Sequence, residues 1–245
     1  MPKPFALTLA TLALAACAET RDVTGPSMDR RDDDLASAAA SRVYDVTITN
    51  LTTGQPFSPG VLVTHTKRAS FFDVGAAASE GLRLIAENGD ESVAIAELTG
   101  RPGVYQVVDV NEPIGRVGGP LPNSRTFRIE ASDDATRLSL AIMLICTNDG
   151  FTGLEGVKLP RNFKPAIFYS AGYDAGTELN DERSPSIVDP CFAIGPTAGP
   201  ADGNARTATS DVVRHHPGIE GDADLDEGAH GWDDPVARIT VQRVR

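Results

Sequence analysis

Basic residues are scarce in this sequence. There are 22 Lys and Arg against 34 Asp and Glu, so the formal net charge is -12. Nucleic-acid phosphates are bound by surfaces rich in Lys and Arg, and the deficit therefore argues against a nucleic-acid partner. The acidity says little more about function, because net charge of either sign also serves solubility.

Several sequence motifs that are typical of enzymes are also absent. The sequence has no Gly-x-Ser-x-Gly, no glycine-rich phosphate-binding loop, no His-Glu-x-x-His and no repeat of fixed period. With 41% hydrophobic and 23% charged residues, a chain of 245 residues can still bury a substantial core, as one large domain or two small ones. The sequence therefore predicts a folded protein that is not an enzyme.

Long apolar runs are absent except at the beginning of the chain. The run 5–16 is too short to cross a bilayer as a helix but is typical of a signal-peptide core. It ends in Leu14-Ala-Ala-Cys17, which resembles a bacterial lipobox. That resemblance implies cleavage before Cys17 and lipid attachment to its thiol. Ordinary signal cleavage, with Cys17 incidental, is the alternative, and both predict an exported protein.

The next segment, 17–41, is polar, carries charges of both signs and has almost no large apolar residue. This composition is typical of a disordered tether, which would hold a domain on the order of 25–30 Å from its anchor. We therefore expect a lipoprotein signal peptide at 1–16, a tether at 17–41 and a folded domain at 42–245. The protein would be anchored by lipid in the cell envelope, at the outer membrane or cell surface.

Only three cysteines are present. If Cys17 carries lipid, Cys146 and Cys191 remain as an even pair in an oxidising compartment, where a disulfide is expected. Two buried free thiols are the alternative.

Alternation of apolar and polar residues and an abundance of β-branched types predict strands over most of the folded part. Two helices are predicted near 76–87 and 90–98, as an insert that caps one end. Short strands joined by Gly, Pro, Asn and Asp turns favour an antiparallel β-sandwich. The predicted strands are 43–49, 60–66, 104–110, 124–130, 137–145, 156–159, 164–169 and 236–244.

Two acidic turns are predicted to project from one end of this sandwich. One is Asn148-Asp149-Gly150, and the other lies within YDAGTELNDE (173–182), a segment too polar to be a strand. Asp149, Asp174 and Glu178 would repel one another unless a cation joined them. Oxygen ligands on loops suit Ca²⁺, and Gly176 permits a sharp turn between the last two acids. The alternative is a plain solvated turn.

A second acidic region surrounds His215 and His216. It could form a transition-metal site of a hydrolase, although adjacent residues of a strand point to opposite faces. The run DADLDEG (222–228) lacks the spacing of an EF-hand, so it is interpreted as a solvated acidic loop, with a weak second calcium site as the alternative.

The segments MLICTNDGFTGLEGVKL (143–159), YSAGYDAGTELND (169–181) and PVARITVQRV (235–244) resemble the spondin N-terminal domain family. The resemblance is specific in the first two segments and extends weakly over 42–245. It implies a C2-like antiparallel β-sandwich with Ca²⁺ held by Asp149, Asp174 and Glu178. Animal members have Asp where this chain has Glu178, and the aromatic residue expected after the first acid is displaced to Phe151.

The leading hypothesis is thus a calcium-binding adhesion or binding module at the cell envelope. Its partner would be a protein or glycan at the cell surface, and its lipid anchor would contact the membrane. The alternatives are the metal-dependent hydrolase built on His215 and His216, and a purely structural envelope lipoprotein.

Overall fold

The protein was analysed as a computed structural model that describes residues 41–199 and 205–245. The predicted signal peptide, Cys17 and the tether up to residue 40 lie outside the described residues. Residues Ala39–Arg245 form one compact unit. None of the helices in the described ranges has the length and apolar character needed to cross a membrane.

Within the described residues, ten strands form two antiparallel sheets. In chain order they are β1 (Arg42–Asn50), β2 (Phe57–His65), β3 (Val104–Val110), β4 (Ser124–Ala131), β5 (Arg137–Leu144), β6 (Gly150–Lys158), β7 (Ala166–Ser170), β8 (Gly172–Asp174), β9 (Arg214–His215) and β10 (Ala237–Arg243). One sheet has the order β4-β1-β10-β7 and the other β3-β2-β5-β6-β8-β9. The prediction of a mainly β, sandwich-like fold is confirmed.

The main core lies between the two sheets and follows from the alternation in the sequence. Tyr44, Val46 and Ile48 of β1 are fully buried there, as are Leu140 and Ile142 of β5. Residues between them on each strand point to the opposite face, as the two-residue period of a strand requires. The alternation in β1 therefore accounts for the face that this strand turns to the core.

The helical insert does not cap an end of the sandwich. The helices α1 (Glu80–Asn88) and α2 (Ser92–Leu98) cover the outer face of the six-stranded sheet, where Leu82 and Ile85 join Val61, Val63 and Ala141 in a second core. The prediction of an end cap was wrong because β2 and β5 are apolar on both faces. The outer face needs its own cover.

A third cluster holds the long chain between β8 and β10. It packs apolar residues around Cys146 and Cys191, which form a disulfide with a Cα–Cα separation of 4.9 Å. The segment contains a short 3₁₀ helix, Ser184–Ser186, and the helices α3 (Pro190–Ile194) and α4 (Glu227–His230). Its loops are therefore packed against the end of β5.

Two strand predictions need correction. The strand predicted at 156–159 begins at Gly150, because 150–154 is buried on both faces and shows no alternation. Tyr173 and Asp174, placed by the sequence in a loop, form β8 beside β6. A strand of three residues is too short for periodicity to reveal it.

Candidate functional site

The two acidic turns meet at one end of the six-stranded sheet. Gly150 of β6 lies opposite Asp174 of β8 in antiparallel register, and the Ala175 N–H donates to the Asp149 carbonyl at 3.1 Å. Asp149 and Asp174 therefore occupy neighbouring backbone positions. The predicted common end of the sandwich is the place where these turns are found.

A side-chain hydrogen bond shapes the turn that carries Asp149. The Thr147 hydroxyl donates to the Leu144 carbonyl at 2.6 Å and accepts from the Gly150 N–H at 2.9 Å. The hydroxyl thus closes the turn after β5 and delivers Asp149 at the start of β6. Such use of Ser and Thr in turns is common.

Asp149 is the anchor of the second turn. Its Oδ2 accepts from the Thr177 N–H at 2.7 Å, the Glu178 N–H at 3.0 Å and the Thr177 hydroxyl at 3.2 Å. Asp174 Oδ1 accepts from the Gly176 N–H at 2.7 Å. Gly176 has φ of 75°, so the predicted glycine turn between the acids is present.

Two arginines from the segment 205–215 lie beside the other two acids, Asp174 and Glu178. Asp174 Oδ2 accepts from Asn180 Nδ2 at 2.8 Å and from an Arg214 guanidinium nitrogen at 3.1 Å. Glu178 Oε1 accepts from Asn148 Nδ2 at 3.1 Å, while its Oε2 lies 3.7 Å from Arg206 Nε. The carboxylate of Glu178 thus faces Arg206 rather than completing a compact triad.

All three acids are removed from solvent: Asp149 and Asp174 are 0% exposed and Glu178 is 2% exposed. Burial, and next the charge of Asp174, raise the pKa of Asp149 to about 6. Burial raises the pKa of Glu178 to about 8 against the opposing influence of Asn148 and Arg206. The ionised forms are therefore costly in this site without additional positive charge.

Three buried oxygens at the site have no hydrogen-bond partner within the described residues: Asp149 Oδ1, Glu178 Oε2 and Asn180 Oδ1. Buried acceptors of this kind are uncommon and require an explanation such as an ion or water. An all-oxygen set with two carboxylates and an amide suits a hard cation such as Ca²⁺. The donor chemistry thus fits the expected ion.

The carboxylates are not gathered as a closed cage. Within 41–199 and 205–245, the one group of three His, Cys, Asp or Glu side chains with ligand atoms all within 4.8 Å of one another is Cys146, Cys191 and His230. Its two sulfurs are joined in the disulfide, so they are not available as thiolate ligands.

The histidines of the alternative hydrolase site do not face each other. The His215 ring packs on Tyr173 with centroids 5.2 Å apart, and the His216 ring packs on Trp232 at 5.1 Å. The Nδ1 atom of His216 accepts from the Gly218 N–H at 3.0 Å, and burial lowers the pKa of His216 to about 4. His216 is thus a neutral packed ring at neutral pH.

Two acids of the 222–228 loop, Asp224 and Asp226, have structural partners. Asp226 caps α4 by accepting from the Ala229 N–H at 2.8 Å, and Asp224 accepts from the Ser184 N–H at 2.9 Å. Nearby, the Glu182 carboxylate accepts from the N–H groups of Glu220 and Gly221 at 2.7 and 2.8 Å. Asp224, Asp226 and Glu182 thus hold loops together.

Several polar residues of the site, among them two asparagines and two arginines, were not singled out from the sequence. Asn148 and Asn180 lie inside the two quoted acidic turns, and their position beside the acids was the signal that could have drawn attention to them. Arg206 and Arg214 lie far along the chain in a segment without clear periodicity. No local pattern indicates that they return to Glu178 and Asp174.

Comparison with known proteins identifies a family that the chain matches. The family model described as Spondin_N matches residues 49–185, more than half of the 245-residue chain. The match includes both acidic turns and ends before Arg206 and Arg214. No curated protein matches the chain.

Proposed function

Because this chain belongs to the Spondin_N family, we propose that it is a calcium-binding module anchored by lipid at the cell envelope. The family is one of non-enzymatic extracellular domains, and membership supports a spondin-like extracellular module. In our proposal Cys17 carries the lipid after removal of residues 1–16, and the domain binds a protein or glycan at the cell surface. Adhesion is the corresponding role.

One observation carries the calcium proposal. Asp149 Oδ1 is a fully buried carboxylate oxygen without a partner among the described residues, beside Asp174 and the similarly unpartnered Asn180 Oδ1. Asp149, Asp174 and Glu178 would hold Ca²⁺, with Asn180 as a further oxygen donor. The ion would offset the repulsion of the carboxylates and fix the loop that carries Gly176, so its role would be structural.

Thermal unfolding of residues 41–245 with Ca²⁺ and with a chelator tests this proposal. A ligand at a hundred times its dissociation constant adds about 2.7 kcal/mol, and each kcal/mol raises the midpoint by about 2–4 °C at this size. We expect calcium to raise the thermal midpoint of the wild type by an amount of this order. The midpoint of Asp174→Asn should not change when calcium is added.

Asp109→Asn is the matched control, since Asp109 is an exposed acid on β3, away from the acidic turns. Its calcium response should equal that of the wild type. A wild-type domain that does not respond to calcium would overturn the site, and the acidic turns would then be structural only. Independently, Cys17→Ser should abolish incorporation of a fatty-acid label and release the protein from the membrane fraction.

A further inference from the structure

The sandwich has a second end, opposite the acidic turns, where many strand termini meet. β1 begins there at Arg42 opposite Ala131, the end of β4, and β10 ends beside the start of β1 and β7. In the other sheet His65 pairs with Arg137 and with Val104. The loops 66–68, 99–103, 132–136 and 159–165 therefore share this end.

This end is rich in positive charge although the chain as a whole carries -12. We call it the basic end and define it by six residues that are exposed or partly exposed: Lys67, Arg68, Arg161, Lys164, Arg243 and Arg245. Acids are present too, and two are paired: Asp133 lies 3.6 Å from Arg42, and Glu130 lies 3.9 Å from Arg245. Asp134 is exposed nearby. Positive charge remains in excess.

Two clefts open side by side in the basic end. One, of about 760 Å³, is lined by residues that include Lys67, Arg68 and Asp133. The other, of about 520 Å³, is lined by Arg42, Asp133, Arg161 and Arg243. Since Asp133 borders both, the basic side chains of the two sheets form one continuous surface. Clefts of this size, lined by Lys and Arg, can admit phosphate groups.

An exposed aromatic side chain stands among these charges. Phe163 is 62% exposed at the tip of the loop between β6 and β7. The loop is held to β10, because the Arg243 guanidinium donates to the Arg161 carbonyl at 2.7 Å and lies 5.1 Å from the centroid of the Phe163 ring. The loop thus presents an apolar ring with basic neighbours. This combination is typical of surfaces that lie at a membrane interface.

The place where the N-terminal segment joins the domain indicates which partner this surface would meet. Residue 41 is the first described residue, and the Arg245 guanidinium donates to its hydroxyl at 3.4 Å. The segment that begins at Cys17 therefore joins the domain at the basic end. A lipid on Cys17 would therefore tether the domain at this end, and the acidic turns lie at the opposite one.

We infer that the basic end docks on anionic phospholipid headgroups, with Phe163 at the level of the headgroups and the acidic turns directed away from the bilayer. This inference rests on the proposed lipid anchor for its biological setting, but the surface itself is independent of the anchor. Each Lys or Arg close to an anionic leaflet strengthens binding by about fivefold. The docked domain would present its calcium site to partners outside the membrane.

Sedimentation of unlipidated residues 41–245 with vesicles tests the surface directly. This part contains all three hydrophobic clusters and forms one compact unit. Vesicles of phosphatidylglycerol and phosphatidylcholine in equal parts should bind it, and vesicles of phosphatidylcholine alone should not. Binding should weaken as salt rises, because the screening length falls to about 8 Å at physiological ionic strength.

A pair of double variants isolates the basic end. Arg161→Glu with Lys164→Glu should reduce the partition coefficient by at least about tenfold. Arg183→Glu with Arg238→Glu makes the same change of net charge on exposed residues outside the basic end, and binding should remain within about twofold of the wild type. Phe163→Ser should reduce binding while preserving its salt dependence.

Three outcomes would overturn the inference: equal loss in both double variants, no binding to anionic vesicles, or binding to a sulfated polysaccharide without binding to the vesicles. Circular dichroism and the thermal midpoint of each variant distinguish lost docking from misfolding, and Phe163→Ser provides a second route if a charge variant fails to fold. Failure of Cys17 labelling would overturn the anchor alone, because the vesicle assay uses no lipidated protein.

Discussion

The guanidinium of Arg214 lies 3.1 Å from Oδ2 of Asp174, a carboxylate whose side chain is 0% exposed. A positive group from 40 residues further along the chain thus already neutralises part of the acidic site. Arg214 and a bound cation would compete for the same carboxylate. Arg214 would thus weaken cation binding at Asp174 although it lies outside the two acidic turns.

The first prediction follows from this competition. Arg214→Gln should destabilise the calcium-free domain by on the order of 1 kcal/mol, a modest value because the Arg214 side chain is 46% exposed. In calcium the variant should recover, and its calcium affinity should exceed that of the wild type. Calcium titration followed by calorimetry measures this affinity. An unchanged affinity would show that Arg214 and calcium do not share Asp174.

The second prediction concerns the glycine between the two acids. Gly176 has φ of 75°, and a Cβ there would lie 2.8 Å from backbone atoms of Asp211 and Val212. Gly176→Ala should therefore cost more than the roughly 1–2 kcal/mol of a left-handed alanine and should weaken the calcium response.

Gly118→Ala is its matched control. Gly118 has φ of 74° and nothing within 4 Å of the added Cβ. The free energy of unfolding of Gly118→Ala should fall only by the cost of an alanine in the left-handed conformation. Its calcium response should equal that of the wild type. Equal thermal shifts in the two variants would mean that the close approach of 211–212 has no energetic importance.

The third prediction is a dependence of stability on pH. The pKa of Glu178 is raised from 4.5 to about 8, and that of Asp149 from 3.8 to about 6. The folded state therefore binds these protons more tightly than the unfolded chain does. Their contribution to stability is complete below the ordinary pKa values and is lost as pH rises through the raised ones.

We expect the free energy of unfolding of the calcium-free domain to fall as the pH rises from 4.5 to about 8. These limits are the ordinary and the raised pKa of Glu178. Urea unfolding in chelator at a series of pH values measures this loss. Above the raised pKa of Asp149, about 6, only Glu178 still contributes to this loss of stability. In Glu178→Gln the loss in that pH range should therefore disappear. Superimposable profiles of the variant and wild type would contradict the assignment.

The fourth prediction concerns the disulfide that precedes Asp149. Cys146 and Cys191 are separated by 45 residues in sequence, and a loop of this length contributes about 4 kcal/mol in the chain-entropy model. Reduction should lower the midpoint strongly. The double variant Cys146→Ser with Cys191→Ser should show the lower midpoint with and without reductant. Two free thiols by mass spectrometry of the unreduced wild type would be the contrary result.

Local pattern predicted most of the fold because most strands have one buried and one exposed face, or are strongly β-branched. It was wrong where that rule does not hold. In β6, Phe151 faces the helices while Leu154 faces the main core, so the strand shows no alternation. Gly153 has no side chain to report a face, and a Cβ there would lie 2.0 Å from the Leu140 carbonyl oxygen.

The candidate site was predictable to the extent that it is made by neighbouring strands. Asp149 and Asp174 were expected together because two acidic turns were predicted at one end of the sandwich, and the antiparallel pairing of β6 with β8 brings them there. The partners Arg206 and Arg214 do not, because their contacts depend on the path of a long loop that has little regular structure. Tertiary packing decides that path, and a single sequence carries no periodic record of it.

The pairing of β1 with β10 imposes an order on how this protein can form. Asn50 pairs with Ala237 and Tyr44 with Arg243, so the first strand of the domain needs the last one as its neighbour. During synthesis β1 can pair with β4, but its second edge stays open until almost the whole domain has been made. Such long-range pairing slows folding and leaves strand edges exposed to other chains. The four-stranded sheet is therefore complete only after the last strand of the chain has been made.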